Sequence, residues 1–132
     1  GKDARVDYHA VARLYQSQGQ KDVAKRILRE MKDFGLATVE SVYELGQLCK
    51  RDKELEEAQQ CFEYGAALSH PPSLQALAIL LEQTKEYEQA LEYTEQLLSQ
   101  QQNLPLPDLR QLHDIDKRRI RLQRKIAKKA HK

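Results

Sequence analysis

The stretch LGQLCKRDKELEEAQQCFEYGA, residues 45–66, decides the fold of this chain. Its small residues Gly46 and Ala58 lie twelve positions apart, and apolar side chains flank each of them at the three-to-four-residue spacing of one helix face. The same interval recurs twice, between Ala12 and Ala24 and between Ala78 and Ala90. The second residue of each pair is an alanine, and Ala24, Ala58 and Ala90 follow one another after 34 and 32 residues. These intervals match the period of a helix-turn-helix repeat.

The small residues have a physical reason to recur. Two helices packed at about 8–10 Å need short side chains where their axes approach most closely. We therefore predict an all-α fold, a stack of three helix pairs plus a long basic C-terminal capping helix. The predicted segments are pairs at about residues 5–38, 39–70 and 71–102, a linker at 103–107, and the basic helix at 108–132.

Several residues set the expected helix ends and buried faces. Gly19 and Gly35 are expected to end the first two helices, and Pro71 with Pro72 to lie in the first turn of the fifth. Asp52 is expected to cap the fourth helix. The third pair is expected to lose its helical structure at residues 100–102, which would already form part of the linker. Three apolar residues are assigned to inward helix faces on periodicity alone: Val23, Leu55 and Leu109.

Composition bounds the class of protein. The chain has 132 residues, of which 40% are apolar and 32% charged, a globular balance. It has two Phe and no Trp, so Leu, Ala, Ile, Val and Tyr must build the core, which suits thin helical layers. No run of about 18 apolar residues is present, so no membrane association is expected. Because the sequence starts Gly-Lys-Asp without Met, we expect it to be part of a larger protein, fused to or associated with an enzymatic domain.

The two cysteines, Cys49 and Cys61, fall on apolar faces of consecutive antiparallel helices. Their Cα atoms should be roughly 10 Å apart, too far for a disulfide without backbone movement. We therefore expect buried free thiols and, from them, an intracellular, cytoplasmic location.

At these positions the sequence resembles the tetratricopeptide repeat over about residues 5–102. The matching residues are Val11, Ala12, Tyr15, Gly19 and Ala24, then Leu45, Gly46, Ala58, Phe62 and Pro71, then Leu77, Ala78, Leu81, Tyr87 and Ala90. Thr94 departs from the pattern, since an aromatic is usual there. The resemblance implies that the three pairs form a right-handed superhelical stack. It also implies a non-catalytic protein–protein interaction scaffold whose concave groove is lined by the first helix of each pair.

That resemblance places eight residues in the groove as candidate contacts for a protein or peptide partner. They are His9, Arg13, Gln16, Tyr43, Gln47, Lys50, Gln75 and Glu82. The set is polar and mixed in charge, which suits an extended peptide or a helix. The same residues could equally form a solvated face with no partner.

The C-terminal segment carries a separate signal in its charge. Residues 117–132 hold nine Lys or Arg and no acid, whereas residues 1–116 have a net charge of −7. Such a helix can bind nucleic acid weakly through phosphates, or it can be the solvated face of a capping helix. The candidate nucleic-acid contacts are Lys117, Arg118, Arg121, Arg124, Lys125 and Lys128.

A second resemblance concerns the segment LAILLEQTKEYEQALEYTEQLL, residues 77–98, and the helix after it that contains DLRQL and KRRIRLQRKI. Together they look like the C-terminal helical region of bacterial proteins with an N-terminal ribonuclease-H-like exonuclease domain. This resemblance supports an alternative function, a nucleic-acid-binding accessory module of a nuclease-type enzyme.

Catalysis by this chain alone is not expected. His113 and Asp116 share a helix face, but two ligands alone seldom hold a metal. No Ser/His/Asp arrangement, glycine-rich phosphate loop or pair of buried carboxylates can be assembled from the sequence. We therefore predict no enzyme activity, catalytic residue, cofactor or metal site.

Overall fold

The computed structural model describes residues 6–131, and these form seven α-helices with no strand. The helices are α1 Tyr8–Ser17, α2 Lys21–Asp33, α3 Val39–Arg51, α4 Leu55–Ala67, α5 Pro71–Gln83, α6 Tyr87–Gln102 and α7 Leu109–Ala130. The all-α prediction is therefore confirmed. Two predicted limits, the start of the first pair at residue 5 and the end of the basic helix at residue 132, lie outside the described residues.

The chain divides into two compact units, with the boundary between Gly65 and Ala66 near the end of α4. The superhelical arrangement of the three pairs stays a prediction. None of the helices within residues 6–131 combines the length and the apolar character that a membrane span requires.

In the first unit, α1 packs on α2 and α2 packs on α3. Ala12 and Ala24 are both buried, as the repeated small-residue interval predicts. Around them Leu28, Met31 and Leu45 fill the core. Short side chains thus lie in the interior while larger ones occupy the space around them.

Gly46 marks a close approach of α3 and α4. A Cβ atom added to it would lie 2.7 Å from Cε1 of Phe62 and 2.9 Å from Cβ of Cys61. Real Cβ contacts are not this short, so only glycine lets α3 approach α4 at this point. The pair Gly46 and Ala58, from which the repeat was first inferred, is buried as predicted.

In the second unit, α5 packs on α6 and α6 packs on α7. Ala78 and Ala90 are fully buried at the α5/α6 contact, and α7 contributes Ile115 and Leu122 to the core. Thr94, where the repeat pattern favours an aromatic, is buried, and its hydroxyl donates to the Ala90 carbonyl at 2.7 Å. The C-terminal helix α7 therefore covers part of α6.

The turn inside each helix pair is the same in all three pairs. Gly19, Lys53 and Lys85 have φ of 79°, 60° and 65°, in the left-handed region. In each case the next amide bonds a carbonyl five residues back, at 2.8–2.9 Å, from Gln20 to Tyr15, from Glu54 to Cys49 and from Glu86 to Leu81. This is the Schellman ending of a helix. Two of the three left-handed positions hold Lys, although the conformation favours glycine.

Two predicted helix ends are wrong. Asp52 is the C-cap of α3 and not the N-cap of α4, and its carboxylate accepts hydrogen bonds from Lys25 and Arg51, both at 2.7 Å. Arg51 and Lys25 hold the pKa of Asp52 well below its usual range. Residues 100–102 belong to α6 and not to the linker, because Gln101 is buried and continues the helix face.

Three apolar residues assigned to inward faces are exposed. Leu55 and Leu109 are the first residues of α4 and α7, and Leu109 is 77% exposed. Val23 lies in the first turn of α2 and is also exposed. Periodicity places a residue on a helix face, but a first-turn residue on that face is covered only if a neighbouring helix extends that far.

Candidate functional site

In the first unit, Glu44 on α3 connects two predicted groove residues of α1. Its Oε2 contacts Nε2 of His9, and its Oε1 accepts a hydrogen bond from Nε of Arg13 at 3.4 Å. Sequence reasoning missed Glu44. The available signal was an opposite charge about one repeat period, 35 and 31 residues, after the two basic residues.

Tyr43, the neighbour of Glu44, is the aromatic residue of this face. Its ring packs on Phe62 with centroids 5.9 Å apart and planes tilted by 47°. Its hydroxyl accepts a hydrogen bond from Nε2 of Gln47 at 2.8 Å. Burial, with a further contribution from the charge of Glu44, raises the pKa of the Tyr43 hydroxyl. The phenol is thus neutral and fixed in orientation while its residue remains partly exposed.

The other predicted groove residues of this unit lie on the same two helices. Gln16 on α1 and Lys50 on α3 are half-buried, and Gln47 is exposed. The structure therefore brings His9 and Arg13 together through Glu44, and Tyr43 together with Gln47. These contacts form one polar face around a single aromatic ring, and we name it the α1/α3 face.

In the second unit, the predicted groove residue Glu82 is already engaged. It accepts hydrogen bonds from Nε and Nη2 of Arg121, at 2.7 and 2.8 Å, and from Nζ of Lys125 at 2.7 Å. Arg121 first and Lys125 second lower the pKa of Glu82 to about 2. Gln75, on the same helix, is half-buried. The carboxylate of Glu82 is thus neutralised by α7 within the chain.

The six predicted nucleic-acid contacts fall into two sets. Arg121 and Lys125 bind Glu82, and Nζ of Lys125 also lies 5.4 Å from the ring centroid of Tyr87. Arg118 is beside them, and burial lowers the pKa of its guanidinium. Its Nε and Nη1 are buried without a hydrogen-bond partner among residues 6–131. These three side chains lie against the protein.

The second set is Lys117, Arg124 and Lys128. All three are exposed, and none makes an ion pair within the described part of the chain. At 100° per residue they occupy one face of α7, away from buried Ile115 and Leu122. We name these three residues the α7 basic ridge. It extends over about 16 Å at 1.5 Å per residue.

Metal-binding geometry is absent from residues 6–131, where no three His, Cys, Asp or Glu side chains form a group that could hold an ion. His113 is exposed, and Asp116 accepts a hydrogen bond from Nε of Arg119 at 2.8 Å. Cys49 and Cys61 are free and buried. Burial raises the pKa of Cys61 to about 11 and that of Cys49 in the same direction.

A model of the tetratricopeptide repeat family matches residues 39–64 and 71–104. These segments are tetratricopeptide repeats. The first comprises α3 and most of α4, and the second comprises α5 and α6. The match does not include α1 and α2, although that pair has the same Schellman turn at Gly19 as the two matched repeats. No curated protein matches the chain.

The family gives the general role of these repeats. Tetratricopeptide repeats generally mediate protein–protein interactions, and the two matched repeats therefore support a scaffold role for this helical-repeat chain. The family is typically a non-enzymatic interaction domain.

Proposed function

We propose that this chain is a non-catalytic scaffold that binds a protein or peptide on the α1/α3 face. The observation that carries the proposal is the setting of Tyr43. Its ring is held by Phe62 and its hydroxyl by Gln47, yet the residue keeps exposed surface. Aromatic residues held in this way dominate interface energetics, because they add contact area at low entropic cost.

The charges around Tyr43 favour a partner that is polar and close to neutral at the point of contact. Glu44 is placed between His9 and Arg13, so neither sign is in large excess. A peptide backbone or a polar side chain can therefore bond to Gln47 and Arg13 while its apolar part packs on the ring of Tyr43. Gln16 and Lys50, in the same unit, are proposed as further contacts of this face. Gln75 and Glu82 are proposed as partner contacts of the second unit, Glu82 only after release from Arg121 and Lys125.

The test uses a photo-crosslinking residue at Gln47, compared with the same residue at Glu63, an exposed position on α4. In lysate of the source cells, crosslinked products should form from position 47 and be lost in the variant that also carries Tyr43→Ala. Tyr64→Ala is the matched control, because Tyr64 is a partly exposed tyrosine of the same unit. Equal yields at positions 47 and 63, with no effect of Tyr43→Ala, would reject the α1/α3 face as the binding surface.

A second candidate function is weak binding of nucleic acid by the α7 basic ridge, as an accessory module of a nuclease-type enzyme. The favouring observation is that Lys117, Arg124 and Lys128 are exposed and unpaired among residues 6–131. Fluorescence anisotropy with labelled RNA or DNA tests it. Replacing all three by Gln should reduce the log–log salt slope by about 3, whereas the pair Arg121→Gln and Lys125→Gln should change it less.

If no binding is seen at low salt, or both variants behave alike, this second function is rejected. A cytoplasmic location and a neighbouring enzymatic domain are retained as parts of the proposal. They are supported by the free buried thiols and by the second sequence resemblance respectively.

A further inference from the structure

An apolar cleft of about 740 Å³ lies between α1 and α2 in the first unit. Its walls include Tyr8, Val23, Ile27, Phe34 and Leu36. Phe34 is 75% exposed, and Tyr8, Val23 and Leu36 are exposed as well. Contiguous exposed apolar surface of this kind marks an interaction site. The α1/α3 face uses none of these five residues, so the cleft is a separate feature.

The rim of the cleft carries one charge of each sign. Arg26 and Glu30 both line it, lie one turn apart on α2, and are 3.5 Å apart at their closest atoms. Their side chains are 81% and 55% exposed. Ile27, which is half-buried, follows Arg26 along α2 and also lines the cleft.

The basic Arg26 followed by the acidic Glu30 is complementary to the same pair on a helix that runs in the opposite direction. If α2 crosses α2 of a second copy in antiparallel orientation about a two-fold axis, each Arg26 faces Glu30 of the other copy. Val23 and Phe34, which precede and follow the charged pair along the chain, then lie at the two ends of the contact, where the second copy covers them. Isologous two-fold contacts require this kind of self-complementary surface. We propose that the α1/α2 cleft is a homodimer interface in which α2 packs antiparallel on α2 of a second copy.

One other exposed apolar group could enter the cleft. Leu104, Leu106 and Leu109 lie in and after the loop between α6 and α7 and are exposed. Insertion of this loop into the cleft of another copy would be a head-to-tail contact, which continues into open chains unless it closes into a ring. In that contact Arg26 of one copy would not face Glu30 of the other. Reversing these two charges therefore distinguishes the two-fold dimer from the head-to-tail contact.

Sedimentation velocity on the chain alone tests the proposal, and its result does not depend on a partner for the α1/α3 face. The wild type should shift from the mass of one chain to the mass of two as concentration rises. Phe34→Ser should stay at the mass of one chain. Arg26→Glu and Glu30→Arg, each alone, should raise the dissociation constant of the dimer about tenfold or more, because like charges then face each other.

The decisive measurement is an equal mixture of the two charge variants. One chain then has acids at both positions and the other has bases, so a mixed dimer regains both ion pairs and should form as readily as the wild-type dimer. The exposed positions of Arg26 and Glu30 mean that the fold should survive, which a melting curve checks. A wild type that remains a single chain, a mixture that fails to recover, or growth beyond two chains that Leu106→Ser abolishes would each overturn the proposal.

Discussion

Glu82 on α5 accepts two hydrogen bonds from Arg121 on α7, one from Nε at 2.7 Å and one from Nη2 at 2.8 Å. Lys125, one helical turn further on, donates a third to the same carboxylate. The C-terminal helix is thus attached to α5 by charge and to α6 by the apolar residues Ile115 and Leu122. The ion pairs weaken when Glu82 is protonated, whereas the apolar packing of α7 does not depend on pH.

We expect Glu82→Gln to lower the free energy of unfolding at pH 7 by about 1 kcal/mol, because Arg121 and Lys125 are partly exposed and solvent screens the pairs. The folded-state pKa of Glu82, about 2, lies below its ordinary value of 4.5, so the carboxylate stabilises the fold fully above the ordinary value. This stabilisation is lost as the pH falls from 4.5 towards 2. Denaturant unfolding of both proteins across this range should show their difference shrinking.

Glu95→Gln is the matched control for that experiment, because Glu95 is exposed on α6 and makes no ion pair within residues 6–131. Its effect should be near zero at every pH. A Glu82→Gln difference that stays constant down to the lowest pH would contradict the role assigned to the ion pairs.

Gly46→Ala should destabilise the first unit. The added methyl group would lie 2.7 Å from the ring of Phe62, so α3 and α4 must move apart. Overpacking of this kind costs about 1–3 kcal/mol, partly offset by about 1 kcal/mol of better helix propensity. We expect a net loss of about 1 kcal/mol, the middle of the resulting range, by denaturant titration. If Gly46→Ala is as stable as the wild type, the close approach is not required.

A double-mutant cycle shows whether the ring is the cause. Phe62→Leu removes the ring atoms Cε1 and Cδ1 that the new methyl group would meet. The loss from Gly46→Ala should therefore be smaller in the Phe62→Leu background than in the wild type. Simple additivity of the two changes would place the strain elsewhere.

Lys53→Gly together with Lys85→Gly should stabilise the protein. Both lysines have left-handed backbones, which cost about 1–2 kcal/mol each. Glycine removes this cost, but it loses about 0.5–1 kcal/mol more conformational entropy on folding. We expect a gain of about 1 kcal/mol for the pair, measured as a higher urea midpoint. The double variant Lys53→Ala and Lys85→Ala is the control, since it removes the side chains and keeps the backbone unfavourable. An equal gain from alanine would show that the side chains, not φ, are responsible.

The thiols of Cys49 and Cys61 should react slowly in the folded state. Both are buried, and burial raises the pKa of Cys61 to about 11, so few thiolates exist at neutral pH. Labelling with a chromogenic disulfide reagent should proceed only as the protein opens, and both groups should react at once in denaturant. Gly46→Ala should increase the labelling rate of Cys61, because the added methyl group would push α3 away from α4 at this residue. Fast reaction of the untreated protein would contradict the burial of both residues.

Local sequence patterns were enough to predict the seven helices and the interior of each pair. Two small residues twelve positions apart, repeated after 34 and 32 residues and flanked by apolar residues at three-to-four spacing, leave a helix pair as the simplest way to bury these side chains. The ends of α4 and α6 were harder to predict. Aspartate can cap either end of a turn between helices, and glutamine fits a helix or a linker. The contacts that Asp52 and residues 100–102 make in the folded protein determine which of these positions they occupy.

Which charged side chains remain free to bind a partner depends on contacts between helices that are distant in sequence. Along α7 the sequence shows a uniform run of Lys and Arg, yet Glu82, 39 and 43 residues away, engages Arg121 and Lys125 and leaves the α7 basic ridge exposed. Glu44 likewise lies beside His9 and Arg13 across a full repeat period. Helix propensity and periodicity act over a few residues and can be read from the chain. Ion pairing depends on distances between helices, and those distances exist only once the small residues have packed.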